Sequence, residues 1–168
     1  YMIQKLVLIL FNLLVYITGV NAQFFTDTIY YDAFQQSVKM PDSNGFYRTI
    51  ASDTLSNYQF VVKDFFTGGQ LKMQGKYRSL NPDNRIGIFS YYYSNGQLQM
   101  QCNYMNNKLE GQLKVWYENG QLKQECYYSH DKLTGTFKTW STKGELTKFA
   151  EYKDGKKNGK FISYYANG

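Results

Sequence analysis

The chain has 168 residues, which suits one domain or one repeat array. Aromatic residues make up 18%, with 17 Tyr and 12 Phe against two Pro, a balance that fits pleated β structure. Net charge is +6, but the lysines are scattered among acidic and amide neighbours, so the surplus reads as a solvated surface and argues against a nucleic-acid stripe.

The first expected element is a leader. Met2 and Lys5 precede the apolar run "LVLILFNLLVYITGV", and Val20 and Ala22 stand at the −3 and −1 positions of a small-residue exit. This predicts a secretory signal peptide over 1–22, helical over 6–18 and cleaved after Ala22. The alternative is an uncleaved anchor, but a spanning helix needs about 20 apolar residues, and this run is interrupted by Asn12 and Gly19. Residues 23–57 follow as an N-terminal β segment, with a turn at "PDSNG".

From 58 onward the chain repeats itself. "YYSNGQL" begins at 92, "WYENGQL" at 116, "WSTKGEL" at 140 and "YYANG" at 164, an offset of 24 each time (116 − 92 = 24). Gly96, Gly120, Gly144 and Gly168 form one column, and Gly87, Gly111, Gly135 and Gly159 another. An earlier copy, "FFTGGQL", leads by 27 (Gly96 − Gly69). A fixed period of this size marks a repeat array. The pattern reaches half of a fifth copy, which suggests a piece of a longer array.

Asn-Gly between apolar runs predicts a two-residue type I′ hairpin loop at Asn95-Gly96 and Asn119-Gly120. In that register Tyr117 faces Leu122, Trp116 faces Lys123, Val115 faces Gln124 and Leu113 faces Cys126. Strand alternation then puts Leu113, Val115, Tyr117, Leu122, Cys126 and Tyr128 on one face. Lys114, Trp116, Glu118, Gln121, Lys123 and Glu125 take the other. The preceding copy gives the same first face: Phe89, Tyr91, Tyr93, Leu98, Met100, Cys102 and Tyr104. The second glycine column marks the return turns, in the polar stretches "MNNKLEG", "SHDKLTG" and "KDGKKNG". The expected fold is all-β, a single-layer antiparallel meander of stacked hairpins with period 24. Cys102 and Cys126 would lie two strands apart, about 9.5 Å, too far for a disulfide; two buried thiols are expected.

The residues offer little chemistry. His130 is the one histidine and lies in a polar turn. There is no Cys-x-x-Cys motif. "GGQLKMQGK" has the wrong spacing for a phosphate-binding loop, and Tyr77 stands where Ser or Thr is needed. "PDSNG" lacks the bidentate Glu of a calcium loop. No catalytic, cofactor or metal site is expected, and the chain does not read as an enzyme.

"YYSNGQL…NNKLEGQLKVWYENGQL" resembles the MORN-repeat-variant family, often labelled as YwqK-type antitoxins. The resemblance covers 60–168, with departures at Gly68-Gly69 and at Lys143, which replaces Asn before the glycine. It implies stacked β-hairpins and a binding or scaffolding role; some members are read as antitoxins that hold a toxin. Tyr30-Tyr31-Asp32 and Tyr47-Arg48 resemble the head of exported Bacteroidetes-type proteins, which often end in a TonB-like domain.

On the polar face one column stays aromatic: Phe65, Tyr92, Trp116, Trp140 and Tyr164, with Lys72, Gln99, Lys123 and Thr147 as expected cross-strand neighbours. Two readings stand. The rings stiffen a one-layer sheet, or they form a platform, edged by Lys72 and Lys123, for a partner. Another protein is the expected partner; a glycan or a membrane surface are the other candidates. The function expected is that of an exported interaction scaffold at the cell envelope, periplasmic or associated with the outer envelope. Toxin neutralisation and lipid binding are the alternatives.

Overall fold

The computed structural model describes residues 26–31, 36–38, 45–53 and 59–164. The expected leader at 1–22, its helix at 6–18, Asp32 and the last turn at 165–168 lie outside them. The described residues form thirteen antiparallel strands in one sheet. The N-terminal strands are β1 (Thr26–Tyr31), β2 (Ser37–Val38) and β3 (Phe46–Asp53). Then come β4 (Gln59–Phe66), β5 (Leu71–Leu80), β6 (Asp83–Tyr92), β7 (Leu98–Met105), β8 (Lys108–Leu109) and β9 (Gly111–Trp116). The array closes with β10 (Leu122–Ser129), β11 (Lys132–Trp140), β12 (Leu146–Lys153) and β13 (Lys156–Ser163). Spatial order follows chain order from β13 to β3, then β1 and β2, with the two-residue β8 paired to β7. The expected all-β meander is present.

One layer buries side chains by alternating large and small residues across the strands. Val62 pairs with Gly75, Phe89 with Cys102, Leu113 with Cys126, and Phe137 with Ala150. Each of these pairs sets a large side chain beside a small one. A Cβ on Gly75 would fall 2.3 Å from the Phe89 ring, so that ring rests directly on the glycine backbone. Tyr77 and Tyr104 close its flanks edge-on, with centroids at 5.3 and 5.1 Å. Phe89 is thus 0% exposed without a second layer, a burial that contributes about 2–3 kcal/mol. Cys102 and Cys126 occupy the small positions as buried free thiols.

The turns depart from expectation. Gly120 N–H donates to the Tyr117 carbonyl (2.9 Å), and Tyr117 N–H donates to the Gln121 carbonyl (2.8 Å). Of the loop residues only Gly120 has positive φ, at +84°. This is a three-residue loop, not a two-residue type I′ turn. The same bonds close the loops at Phe66–Gln70, Tyr93–Gln97 and Ser141–Glu145. Type I′ geometry occurs instead at the return turns: Asn106-Asn107 (φ +50°, +68°), His130-Asp131 (+50°, +68°) and Asp154-Gly155 (+51°, +80°).

The longer loop tightens the register by one residue, and a bulge restores it. Trp116 pairs with Leu122, the ladder then skips Lys123, and Val115 pairs with Gln124 as expected. The expected pairs Tyr117–Leu122 and Trp116–Lys123 are therefore corrected, while Leu113–Cys126 stands. Leu98, Leu122 and Leu146 pair with Tyr92, Trp116 and Trp140, on the second face and not on the first.

β3 joins the array to the N-terminal strands by eight unbroken pairs with β4. Arg48 grips Asp64 through two bonds, Nε to Oδ1 at 2.7 Å and Nη2 to Oδ2 at 2.9 Å. On the opposite face Tyr47 stacks on Phe65, with centroids 5.0 Å apart and planes at 11°.

Candidate binding surface

The second face carries a stripe across the strands, near the loop ends. Its hairpin pairs are Phe65–Leu71, Tyr92–Leu98, Trp116–Leu122 and Trp140–Leu146. Tyr47 and Tyr30 extend it beyond Phe65, since Tyr30 pairs with Tyr47 and Tyr47 with Phe65. All four aromatic–leucine pairs are half-buried. Tyr164 follows β13 and is 42% exposed; its N–H donates to the Thr147 carbonyl at 2.9 Å.

The spacing of the stripe is fixed by bonds between repeats. Tyr93 OH donates to the Trp116 carbonyl (2.8 Å), and Tyr117 OH to the Trp140 carbonyl (2.9 Å). Asn95 and Asn119 donate from Nδ2 to carbonyls of the next loop, Glu118 (3.3 Å) and Thr142 (3.0 Å). Each asparagine also accepts, from Gln97 N–H and Gln121 N–H respectively. Beside the stripe runs a polar row in which Gln74 donates to Tyr92 OH (3.1 Å), Gln101 donates to Ser90 Oγ (3.3 Å), and Lys114 faces Glu125 (3.6 Å).

Lys72, Gln99, Lys123 and Thr147 are not the cross-strand partners of the rings. They are the extra residues of the four bulges, because the one-residue tightening at each loop moves leucine into the pair. The two lysines also leave the stripe. Lys72 Nζ lies 4.3 Å from the Phe46 centroid and 5.7 Å from that of Phe66, and Lys123 Nζ lies 5.3 Å from that of Tyr117. Those rings point to the first face, so the stripe is edged by leucines. One residue signalled this in the sequence. Lys143 stands where a type I′ turn would demand positive φ, which lysine resists, whereas a three-residue loop asks it only of Gly144.

The return turns form a second ladder on the opposite edge. The Asn107, Asp131 and Gly155 N–H groups donate to the carbonyls of Arg85, Leu109 and Leu133. Asn107 and Asp131 side chains accept from Arg85 N–H (2.8 Å) and Leu109 N–H (2.7 Å) in return. His130, expected as a surface residue, donates its N–H to Glu110 at 2.9 Å.

The model of the MORN repeat variant family matches residues 85–106 and 109–130. Each MORN-variant segment ends on the first residue of a type I′ turn, Asn106 or His130. The unit matched is therefore the hairpin around a three-residue loop, bounded by return turns. No curated protein and no solved structure matches the chain.

Proposed function

We propose that this protein is an exported, non-catalytic repeat array that binds another protein along the second-face stripe. The observation that carries the reading is the recurrence of one half-buried aromatic–leucine pair in four successive hairpins. Its position is held by hydrogen bonds between loops, so little ordering cost remains for binding. Aromatic rings with an adaptable amide row beside them suit an extended protein segment laid across the strands. The MORN-variant match supports a binding role, and the leader-like residues 1–22 support export to the cell envelope. Trp116→Ala with Trp140→Ala tests it. Partner capture from an envelope extract should be lost, with the β-sheet signal kept and the melting midpoint little changed. Capture equal to that of the parent, or loss of the fold, would speak for rings that only stiffen the sheet.

A further inference from the structure

The loops at Tyr93–Gln97 and Tyr117–Gln121 each contain an asparagine before a glycine, Asn95-Gly96 and Asn119-Gly120. Such a pair is prone to spontaneous deamidation, because glycine sets no side chain in the way of the attacking backbone nitrogen. Ring closure uses three groups. The glycine N–H must give up its proton, and the amide oxygen and nitrogen of asparagine must turn so that Cγ meets the glycine nitrogen. In both loops all three groups are engaged. Gly96 and Gly120 N–H donate to the Tyr93 and Tyr117 carbonyls, each at 2.9 Å. Asn95 and Asn119 Oδ1 accept from Gln97 N–H (2.9 Å) and Gln121 N–H (3.1 Å). Their Nδ2 groups donate to the next loop, at the Glu118 and Thr142 carbonyls. The third loop has the same backbone bonds but carries Lys143 before its glycine, and Ser141 Oγ accepts from Lys143 and Glu145 N–H at 3.2 and 3.3 Å. It holds no amide to lose.

We propose that Asn95 and Asn119 are deamidation sites kept closed by the ladder between loops, and that modification cuts the ladder irreversibly. In an opened loop the glycine nitrogen loses its proton and bonds to Cγ of the asparagine. The Cγ–Nδ2 bond breaks, and ammonia leaves with that proton. Water then opens the cyclic imide at either carbonyl, leaving aspartate or isoaspartate. Both products carry an acceptor where the ladder needs a donor. At 119 a carboxylate would stand against the Thr142 carbonyl, and isoaspartate would also lengthen the loop backbone by an atom. The link between successive hairpins is then lost, although the array draws its stability from such neighbour contacts.

The Gln121 N–H supplies the measure, because the opening that releases Asn119 Oδ1 releases this N–H too. The intact protein and the peptide YENGQLK, the sequence of residues 117–123, are held at mildly alkaline pH. Conversion at Asn119 is followed by mass spectrometry, and amide exchange at Gln121 by NMR. Conversion in the protein should be slower than in the peptide about ten-fold or more, and by the same factor as exchange. Tyr117→Phe removes the hydroxyl bond to the Trp140 carbonyl and leaves Asn119-Gly120 in place, so it should speed both in step. Asn119→Asp should lower the melting midpoint. The comparison of parent protein with peptide needs no variant, so a folding defect cannot mimic it. Conversion at the peptide rate while Gln121 stays protected, or an Asn119→Asp protein that melts like its parent, would overturn the proposal.

Discussion

Gly75 is small for a different reason from the turn glycines, because its φ is not left-handed and its Cβ would strike the Phe89 ring. Gly75→Ala is therefore expected to cost about 1–3 kcal/mol, the usual range for overpacking, read as a lower urea midpoint. Cys126→Ala should be milder, since Ala150 fills the equivalent position, while Cys126→Leu should behave like the Gly75 variant. Burial also raises the Cys102 and Cys126 thiols above their ordinary value of 9.0, and Tyr77, Tyr91, Tyr104 and Tyr128 above 10.0. The folded chain thus holds these protons to higher pH than the unfolded chain does. The stability they contribute is fully present below the unfolded values and is lost as pH rises through the folded ones. Urea midpoints should be flat on the neutral side and fall steadily above about pH 9. Both thiols should resist iodoacetamide in native protein and react after denaturation.

At the scale of the element, the two turn classes divide the labour. The three-residue loops need one glycine; the return turns need two residues at positive φ, and at Asn107 and Asp131 a side chain also reaches back. Asp131 meets both demands with φ +68° and its bond to Leu109 N–H. Asp131→Ala should cost about 1–2 kcal/mol, through backbone strain and the lost bond, measured by thermal melting. Arg48→Ala should cost on the order of 3 kcal/mol, because it strands the buried Asp64 carboxylate between β3 and β4. The hairpins themselves, their period and the core row were legible in the sequence; Leu113–Cys126 and Val115–Gln124 follow from the register of a two-residue loop, which the bulge restores. The aromatic column was legible too. Its leucine partners were not, because a three-residue loop and a one-residue bulge cancel: every pair beyond Lys123 stays correct while the pairs near the loop shift. Nor did the sequence show that Tyr47 and Arg48 fasten the N-terminal strands on opposite faces, because that link depends on the register of β3 on β4.

Taken whole, the molecule is a row of hairpins, each of which gains its stability from its neighbours. Its first face is closed by a row of large side chains set beside small ones, and its second face keeps a stripe of half-buried rings and leucines. The central claim is that this stripe is a surface available to a partner. Trp116 and Trp140 are the two tryptophans of the chain and both lie in it, so tryptophan emission, excited to the red of the tyrosine band, reports on the stripe. Iodide quenching of the intact protein should reach both rings in part, since both are half-buried. A blue-shifted emission that iodide leaves unquenched would contradict the claim.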